Sequence, residues 1–299
     1  NISGAIAQGQ TLTIVGSNMI NDLKTKWDSI FTEWPNSYGF EGTNPALDGY
    51  NCATTVCSSQ GVYDTSIKLM GNKSIKFHVQ GESSTWQDAL TSYNLLYTDA
   101  PAYRDMWIRF YAKWNLISGA WPRGWIKMSY DHTNYYFQPN NLEYGQEVGP
   151  MPTNMYIKEG PTPYRVPIPS GALQNNRWYL FEVHWKTDTT PYVFEAYMDG
   201  VRIWNSNPPY QDSLAIIPFG IINTGGTDPD FSLDHWWDGF AVGTSRIYPA
   251  STIEIGNNPD YSKAAKKWQE TVYLSDGSIQ IKSDLSGLGY GPYYLCVTN

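Results

Sequence analysis

Short runs of alternating apolar and polar residues recur along the chain, and turn-forming residues separate them. A period of two residues is typical of β-strands that bury one of their faces. The clearest run, residues 176–204, predicts two strands and then an Asp199-Gly200 turn into a third strand. Two other segments, 21–31 and 262–269, predict short helices. The pattern as a whole predicts an all-β protein built as a sandwich or barrel.

The alternation also assigns side chains to the two faces of each strand. It places one set of apolar residues in the core: Ile75, Phe77, Met106, Ile108, Phe110, Ala112, Trp114, Tyr179, Phe181, Val183 and Trp185. The opposite side of the same strands carries aromatic rings and ionisable groups. If these strands share one sheet, a single concave surface is lined by Lys76, His78, Trp107, Arg109, Tyr111, Lys113, Glu182, His184, Glu195 and Tyr197.

The two ends of the chain are predicted to pair with each other. Residues 2–16 contain two short strands around a glycine turn, and four more short strands lie between residue 251 and the C-terminus. The simplest organisation is a small split domain, 1–20 plus 249–299, interrupted by a large domain, 21–248, because insertion into a surface turn is tolerated. Alternatively, the end strands extend one sandwich.

Composition and charge exclude some classes of partner. The net charge is −8 without a basic run, so a nucleic-acid partner is not expected. No apolar stretch approaches the ~20 residues that span a bilayer. The aromatic share of 15% suits a β core and also flat sites for sugar rings. The start at Asn1 is interpreted as that of a mature, secreted chain, which predicts an extracellular or cell-surface location.

The cysteines and one acidic segment are candidates for a covalent link and a metal site. Cys52 and Cys57 are close enough in sequence for a local disulfide, whereas Cys296 is left over in an apolar strand. No spacing typical of zinc ligands occurs. An acidic turn could bind Ca²⁺ or be a plain polar loop, and no cofactor is required. Its carboxylates are Asp228, Asp230 and Asp234.

Two parts of the sequence resemble known families. The hairpin residues Trp178, Trp185, Tyr197 and Asp199-Gly200, with segment 234–249, resemble laminin-G-like, pentraxin-like and jelly-roll polysaccharide lyase domains of the concanavalin A-like kind. The closing segment resembles an IPT/TIG immunoglobulin-like domain in Gly291, Tyr293, Val297 and Asn299. These resemblances imply a two-sheet jelly roll inserted in a small immunoglobulin-like sandwich.

Three function classes remain open from the sequence. The first is an extracellular protein that presents the concave face to a polysaccharide. The second is a polysaccharide lyase, in which a cation neutralises a uronate carboxylate while a base and an acid move protons. The resemblance to jelly-roll lyases implies Arg109, then His184 or His78, then Tyr111 or Tyr197 for these roles, although the strand signatures of alginate lyases are absent. The third is a structural subunit that self-associates through exposed edge strands.

A glycoside hydrolase is disfavoured. Glu182 and Glu195 could pair across the hairpin, but the chain lacks the "E-x-D-x-x-E" strand that this superfamily uses for its two carboxylates.

Overall fold

The fold was analysed in a computed structural model, which describes residues 2–4, 6–17, 51–52, 61–70, 72–81, 91–96, 105–119, 121, 129–131, 135–140, 151–159, 162–186, 189–207, 216–221, 231–243, 246, 252–275 and 277–298. These residues form β-strands and connecting turns, and none of them is helical. The strands are β1 Ile2–Ser3, β2 Thr11–Val15, β3 Asn51–Cys52, β4 Val62–Asp64, β5 Ser74–Gly81, β6 Thr91–Leu96, β7 Asp105–Gly119, β8 Ser129–Asp131, β9 Tyr135–Asn140, β10 Asn154–Glu159, β11 Thr162–Pro167, β12 Trp178–Lys186, β13 Val193–Met198, β14 Val201–Ser206, β15 Ile216–Ile221, β16 Phe231–Gly243, β17 Thr252–Gly256, β18 Lys266–Trp268, β19 Glu270–Leu274, β20 Ser278–Lys282 and β21 Tyr294–Thr298.

The largest sheet has seven strands in the order β14-β13-β12-β7-β16-β5-β4. All of its neighbouring strands are antiparallel, and the long strands β7 and β16 lie side by side at its centre. At the predicted Asp-Gly turn, Asp199 has φ 51° and Gly200 has φ 75°. Positive φ at both positions is typical of the tight turns that join antiparallel strands.

Smaller sheets complete the all-β sandwich that the alternation predicted. Two of them, β11-β10-β9-β8 and β15-β6-β3, are built from the middle of the chain. The two ends meet in the sheet β1-β2-β20-β19, where β2 runs beside β20, and the sheet β18-β17-β21 completes this end of the protein. The predicted pairing of the chain ends is therefore observed, while the division into two domains stays a prediction.

The core lies against one face of the seven-stranded sheet and continues between the terminal sheets. On β7 the predicted core residues Phe110, Ala112 and Trp114 have no exposed surface. On β5, Ile75 and Phe77 are equally buried. The terminal sheets bury a second group of aliphatic side chains: Leu12, Ile14, Ile253, Ile255, Leu274, Ile279 and Ile281.

The predicted helix at 262–269 is wrong. Residues 261–263 form a turn whose backbone N–H groups at Lys263 and Ala264 donate to the carbonyl of Asp260, and Lys266–Trp268 then pairs with β17 as strand β18. Pairing with a neighbouring strand overrides the helix propensity of lysine and alanine, which is worth only a few tenths of a kcal/mol per residue. The other predicted helix, 21–31, lies outside the described residues.

The remaining sequence predictions are only partly within the described residues. Cys57 and the side chain of Cys52 lie outside them, so the disulfide stays a prediction. Cys296 lies half-buried in β21 with a free thiol. The described residues contain no helix of the length and apolar character needed to cross a membrane.

Candidate functional site

The predicted polar surface lies on one face of the seven-stranded sheet. Residues directly opposite each other in antiparallel strands point to the same face. Arg109 on β7 faces Glu182 on β12, which in turn faces Tyr197 on β13. His184 lies between Trp107 and Glu195 in the same way. Six of the predicted residues are thus immediate neighbours on three strands.

Other predicted residues lie at the opposite end of this face. His78 on β5 faces Asp234, and Asp234 faces Asn115 on β7. Asn115 is eight residues from Trp107 along the strand, which corresponds to about 26 Å at roughly 3.3 Å per residue. His78 therefore does not meet Arg109 and His184 at one point.

The middle of the polar face is buried, contrary to the expectation of an open surface. Arg109, Tyr111 and Glu182 have exposed fractions of 1%, 2% and 2%. Period-two alternation places these residues on the correct face but carries no information about what covers that face. Their burial must come from chain segments that the alternation does not describe.

One covering segment is 65–70, between β4 and β5. The backbone N–H groups of Leu69 and Met70 donate to Asp238 Oδ2 at 2.7 and 2.8 Å. Asp238 lies opposite Tyr111 in the register of β16 and β7. The thioether of Met70 is so close to Gly239 that a Cβ there would lie 2.6 Å from the sulfur. The segment thus covers Tyr111. It is itself bound to the terminal sheets, because the backbone N–H of Leu274 on β19 donates to the carbonyl of Leu69.

One end of the face carries a group of six side chains, here named the Trp107 cluster: Trp107, Glu182, His184, Glu195, Tyr197 and Arg246. Arg246 binds Glu182 through two parallel hydrogen bonds, Nε to Oε1 and Nη2 to Oε2, each 2.9 Å long. Its guanidinium carbon also lies 4.3 Å from the ring centre of Tyr197 and 5.3 Å from that of Trp107. Such bidentate and cation–π contacts fix the orientation of the guanidinium.

His184 connects the cluster to a row of side chains on neighbouring strands, in which carboxylates alternate with basic groups. Its ring stacks on Trp107 with 4.1 Å between ring centres. Nδ1 lies 3.2 Å from Glu195 Oε2, and Nε2 lies 3.0 Å from Asp105 Oδ1. Lys186 donates to Asp105, and Arg202 donates to Glu195. Both ring nitrogens of His184 are thus within hydrogen-bond distance of a carboxylate.

Arg109 is buried next to this cluster, and none of the described carboxylates is bound to its guanidinium. Its Nη2 donates to the hydroxyl of Tyr111 at 2.9 Å. Its Nε and Nη1 have no hydrogen-bond partner among the described residues. Burial raises the pKa of Tyr111, while the neighbouring guanidinium acts in the opposite direction. Tyr111 is therefore a neutral hydrogen-bond acceptor for Arg109.

The opposite end of the face is a second group of cations and rings. Asp234 binds Lys76 at 2.7 Å and His78 at 2.7 Å. Lys113 lies over the rings of Trp178 and Trp236, and burial lowers its pKa. Both indoles are 4% exposed. Glu270 of β19 accepts a hydrogen bond from the backbone of Trp178, which brings the terminal sheets against this end.

The acidic segment 228–234, which was predicted to be a turn and a candidate calcium site, ends within a strand. Asp234 lies within strand β16 and is engaged by Lys76 and His78, so it is not a turn residue. Asp228 and Asp230 lie outside the described residues. No group of three or more metal-ligating side chains is present in the part of the chain that the structure describes.

Sequence reasoning missed three charged members of this region. Asp105 has the same strand parity as Trp107, so the alternation could have included it. Arg202 lies opposite Tyr197 on β14 and could have been found from the hairpin register. Arg246 follows the end of β16, outside any strand, and the sequence carries no periodic signal for its position.

The residues considered for lyase chemistry come together only in part. Arg109 and Tyr111 are hydrogen-bonded to each other, but both are buried. Tyr197 is half-buried and lies 6.0 Å from Trp107 between ring centres, and burial raises its pKa. Glu182 and Glu195 are each engaged by an arginine rather than by one another.

Comparisons with known proteins give structural similarity alone. The sequence matches no family model, and no curated protein matches it. Among solved structures, alginate lyase Aly36B is 12% identical, with 81% of this chain and 100% of that chain covered and a TM-score of 0.48. Endo-beta-1,4-glucuronan lyase from the fungus Trichoderma reesei is 13% identical, with 67% and 92% covered and a TM-score of 0.41. The binding domain of botulinum neurotoxin DC in complex with SialylT is 11% identical, with 68% and 45% covered and a TM-score of 0.40. Identities of 11–13% with TM-scores below 0.5 assign neither a family nor a function to the chain.

Proposed function

We propose that this protein is an extracellular carbohydrate-binding protein and that its binding site is the Trp107 cluster. The observation that carries the proposal is the combination of two half-buried aromatic rings with ordered carboxylate and guanidinium groups on one sheet face. Trp107 and Tyr197 supply the rings, and the Arg246–Glu182 ion pair lies against both.

The chemistry of a sugar explains why this combination is suitable. A pyranose has apolar C–H faces that fit against flat rings, and hydroxyl groups at its edge that donate to carboxylates and accept from guanidinium groups. Side chains that are already fixed by ion pairs lose little rotamer entropy when a ligand binds. The two contacts of His184 and the contact of Arg202 with Glu195 provide this preorganisation.

Binding is favoured over lyase chemistry by the contacts and the burial of the candidate catalytic residues. Both ring nitrogens of His184 are held by carboxylates, Nδ1 by Glu195 and Nε2 by Asp105, so neither is free to contact a substrate. Arg109 and Tyr111, which would be the neutralising cation and the acid, are 1% and 2% exposed. A substrate would have to displace several ordered groups before it reached them.

A glycan array followed by calorimetry tests the proposal. We expect the wild-type protein to bind at least one class of oligosaccharide, and Trp107→Ala to weaken that binding by about tenfold or more, because aromatic contacts dominate such sites. Trp204→Ala is the matched control. Trp204 is also a half-buried tryptophan of the same sheet, but it lies on the opposite side, against Tyr164. The control should retain wild-type affinity.

Two results would overturn the proposal. The first is the absence of binding to any glycan on a broad array. The second is a steady rise in the absorbance of unsaturated product when the protein is incubated with uronate polymers, since that would establish β-elimination instead of binding alone.

A further inference from the structure

Arg109 is an unusual residue for the interior of a sheet. A guanidinium remains charged at any physiological pH. Burying one with unpaired N–H groups is unfavourable, so such groups are rare and require an explanation. Arg109 is 1% exposed, and its Nε and Nη1 lack acceptors among the described residues. Tyr111 satisfies only Nη2.

A carboxylate lies within reach of this guanidinium but is bound elsewhere. Glu182 is the direct register partner of Arg109, and such partners have Cα atoms about 4.5–5.5 Å apart. Yet both oxygens of Glu182 are taken by Arg246. One carboxylate thus has two arginines beside it, and the one that holds it comes from outside the strands.

The two arginines differ in their access to solvent. The side chain of Arg246 is 26% exposed, whereas that of Glu182 is 3% exposed. Arg246 can therefore contact a ligand, and Glu182 is covered. If Arg246 left Glu182 and nothing replaced it, a buried carboxylate would remain unpaired, which is strongly unfavourable. Arg109 can supply the replacement.

We propose that Arg246 binds an anionic group of the ligand and that Glu182 then pairs with Arg109, which acts as its reserve partner. This inference rests on the proposed function and narrows the ligand to an acidic saccharide. In the free protein Arg109 has no anionic partner among the described residues, whereas in the complex both arginines have one. Arg109 is thus a positioning residue, and Arg246 is the residue that contacts the ligand. A planar guanidinium suits the paired oxygens of a carboxylate or a sulfate.

Matched pairs of glycans provide the test. Each acidic oligosaccharide is compared with its neutral counterpart, as methyl ester for a carboxylate or in desulfated form for a sulfate. We expect wild-type protein to bind the acidic member at least about tenfold more tightly, the usual effect of a hydrogen-bonded charge pair. Arg246→Gln should abolish this ratio. Arg109→Met should reduce it by about tenfold, and Arg109→Lys should restore part of it.

Thermal unfolding separates this role from a structural one. Arg109→Met removes a buried charge to which no described carboxylate is bound, so we expect an unchanged or higher Tm. Arg177→Met is the control, because Arg177 is a largely buried arginine whose carboxylate partner, Asp199, lies 2.8 Å away. The control should lower Tm and leave the ratio of acidic to neutral binding unchanged.

The outcomes of these experiments distinguish the proposed carbohydrate-binding function from the proposed change of partner at Glu182. Failure of wild-type protein to bind any glycan overturns the proposed function itself. Equal binding of the acidic and neutral members of a pair is compatible with the proposed function. It contradicts the exchange of Glu182 from Arg246 to Arg109. An acid preference that survives in both Arg109→Met and Arg109→Lys removes Arg109 from the exchange. If Arg109→Met unfolds, Arg109→Gln takes its place, because glutamine keeps a hydrogen-bond donor but removes the charge, and an acid preference that survives in Arg109→Gln removes Arg109 from the exchange.

Discussion

Replacing His235 with asparagine should make folding less sensitive to acid. His235 lies on β16, on the core face of the sheet, with no exposed surface. Its ring stacks on Trp114 with 4.8 Å between ring centres, and the indole N–H of Trp237 donates to Nδ1 at 3.3 Å. Burial holds the pKa of His235 well below its ordinary value. Asparagine carries an oxygen that can replace Nδ1 as the acceptor, but it does not titrate.

The direction and the size of the expected change in unfolding free energy follow from proton linkage. The folded state keeps His235 neutral, while the unfolded state takes up a proton below a pKa of about 6.5. The contribution to stability is therefore complete above about pH 6.5 and is lost as the pH falls from there toward the folded-state pKa. Between pH 7.5 and 5.5 the loss amounts to about 1.4 kcal/mol of unfolding free energy. Over this pH interval, the His235→Asn variant should therefore lose about 1.4 kcal/mol less unfolding free energy than the wild type.

Urea unfolding followed by tryptophan fluorescence at pH 7.5, 6.5 and 5.5 measures the difference. Any constant effect of the substitution cancels when the two pH values are compared within each protein. His78→Asn is the control for the replacement of histidine by asparagine as such, because the side chain of His78 is 51% exposed rather than buried. A gap between wild type and His235→Asn that stays constant from pH 7.5 to 5.5 would refute the reasoning.

Three further predictions concern residues that join parts of the fold. Asp238→Asn should lower the free energy of unfolding by about 2–4 kcal/mol, because the carboxylate accepts backbone N–H groups from the 65–70 segment and from Gly239. Gly239→Ala should cost about 1–3 kcal/mol, since φ is +57° and the new Cβ would meet Met70. Burial raises the pKa of Asp199 to about 7 despite the nearby Arg177, so stability from this group is complete below about pH 4 and falls as the pH rises through 7, and Asp199→Asn should flatten that decline.

Urea unfolding checks all three, with pH as a second variable for Asp199. In Gly239→Ala, a second change of Met70 to alanine should recover the part of the loss that is due to contact with the thioether, while the part due to positive φ remains. Full stability in Asp238→Asn would contradict the role given to its hydrogen bonds. An unchanged slope between pH 4 and 7 in Asp199→Asn would do the same for its buried carboxyl group.

The sequence alone is sufficient for the central strands of the seven-stranded sheet and for their faces. Alternation correctly assigns Phe110 and Phe181 to the core and Arg109 and Glu182 to the opposite face, because a strand with a fixed period of two leaves little choice. The Asp-Gly turn at 199–200 is equally local. These predictions succeed since each depends on neighbours within about ten residues.

The cover of the polar face could not be predicted in the same way. It comes from segment 65–70 and from Arg246, which reach Asp238 and Glu182 from distant parts of the chain. Neither has a periodic pattern, and the contacts of the segment use backbone N–H groups that every residue except proline has. An alternation rule treats a polar face as solvent-exposed, whereas here Glu182 is polar and buried.

The two kinds of cover explain why we assign the ligand to one end of the sheet. Over Tyr111 the cover is backbone: the 65–70 segment is bound to Asp238 and, through Leu69, to Leu274 of the terminal sheets, so exposing Tyr111 would require these parts to separate. Over the Trp107 cluster, the described cover consists of long charged side chains such as Arg246. Such side chains change rotamer in picoseconds to nanoseconds once they leave their partners. A ligand can therefore replace Arg246 above Trp107 without any change in the fold.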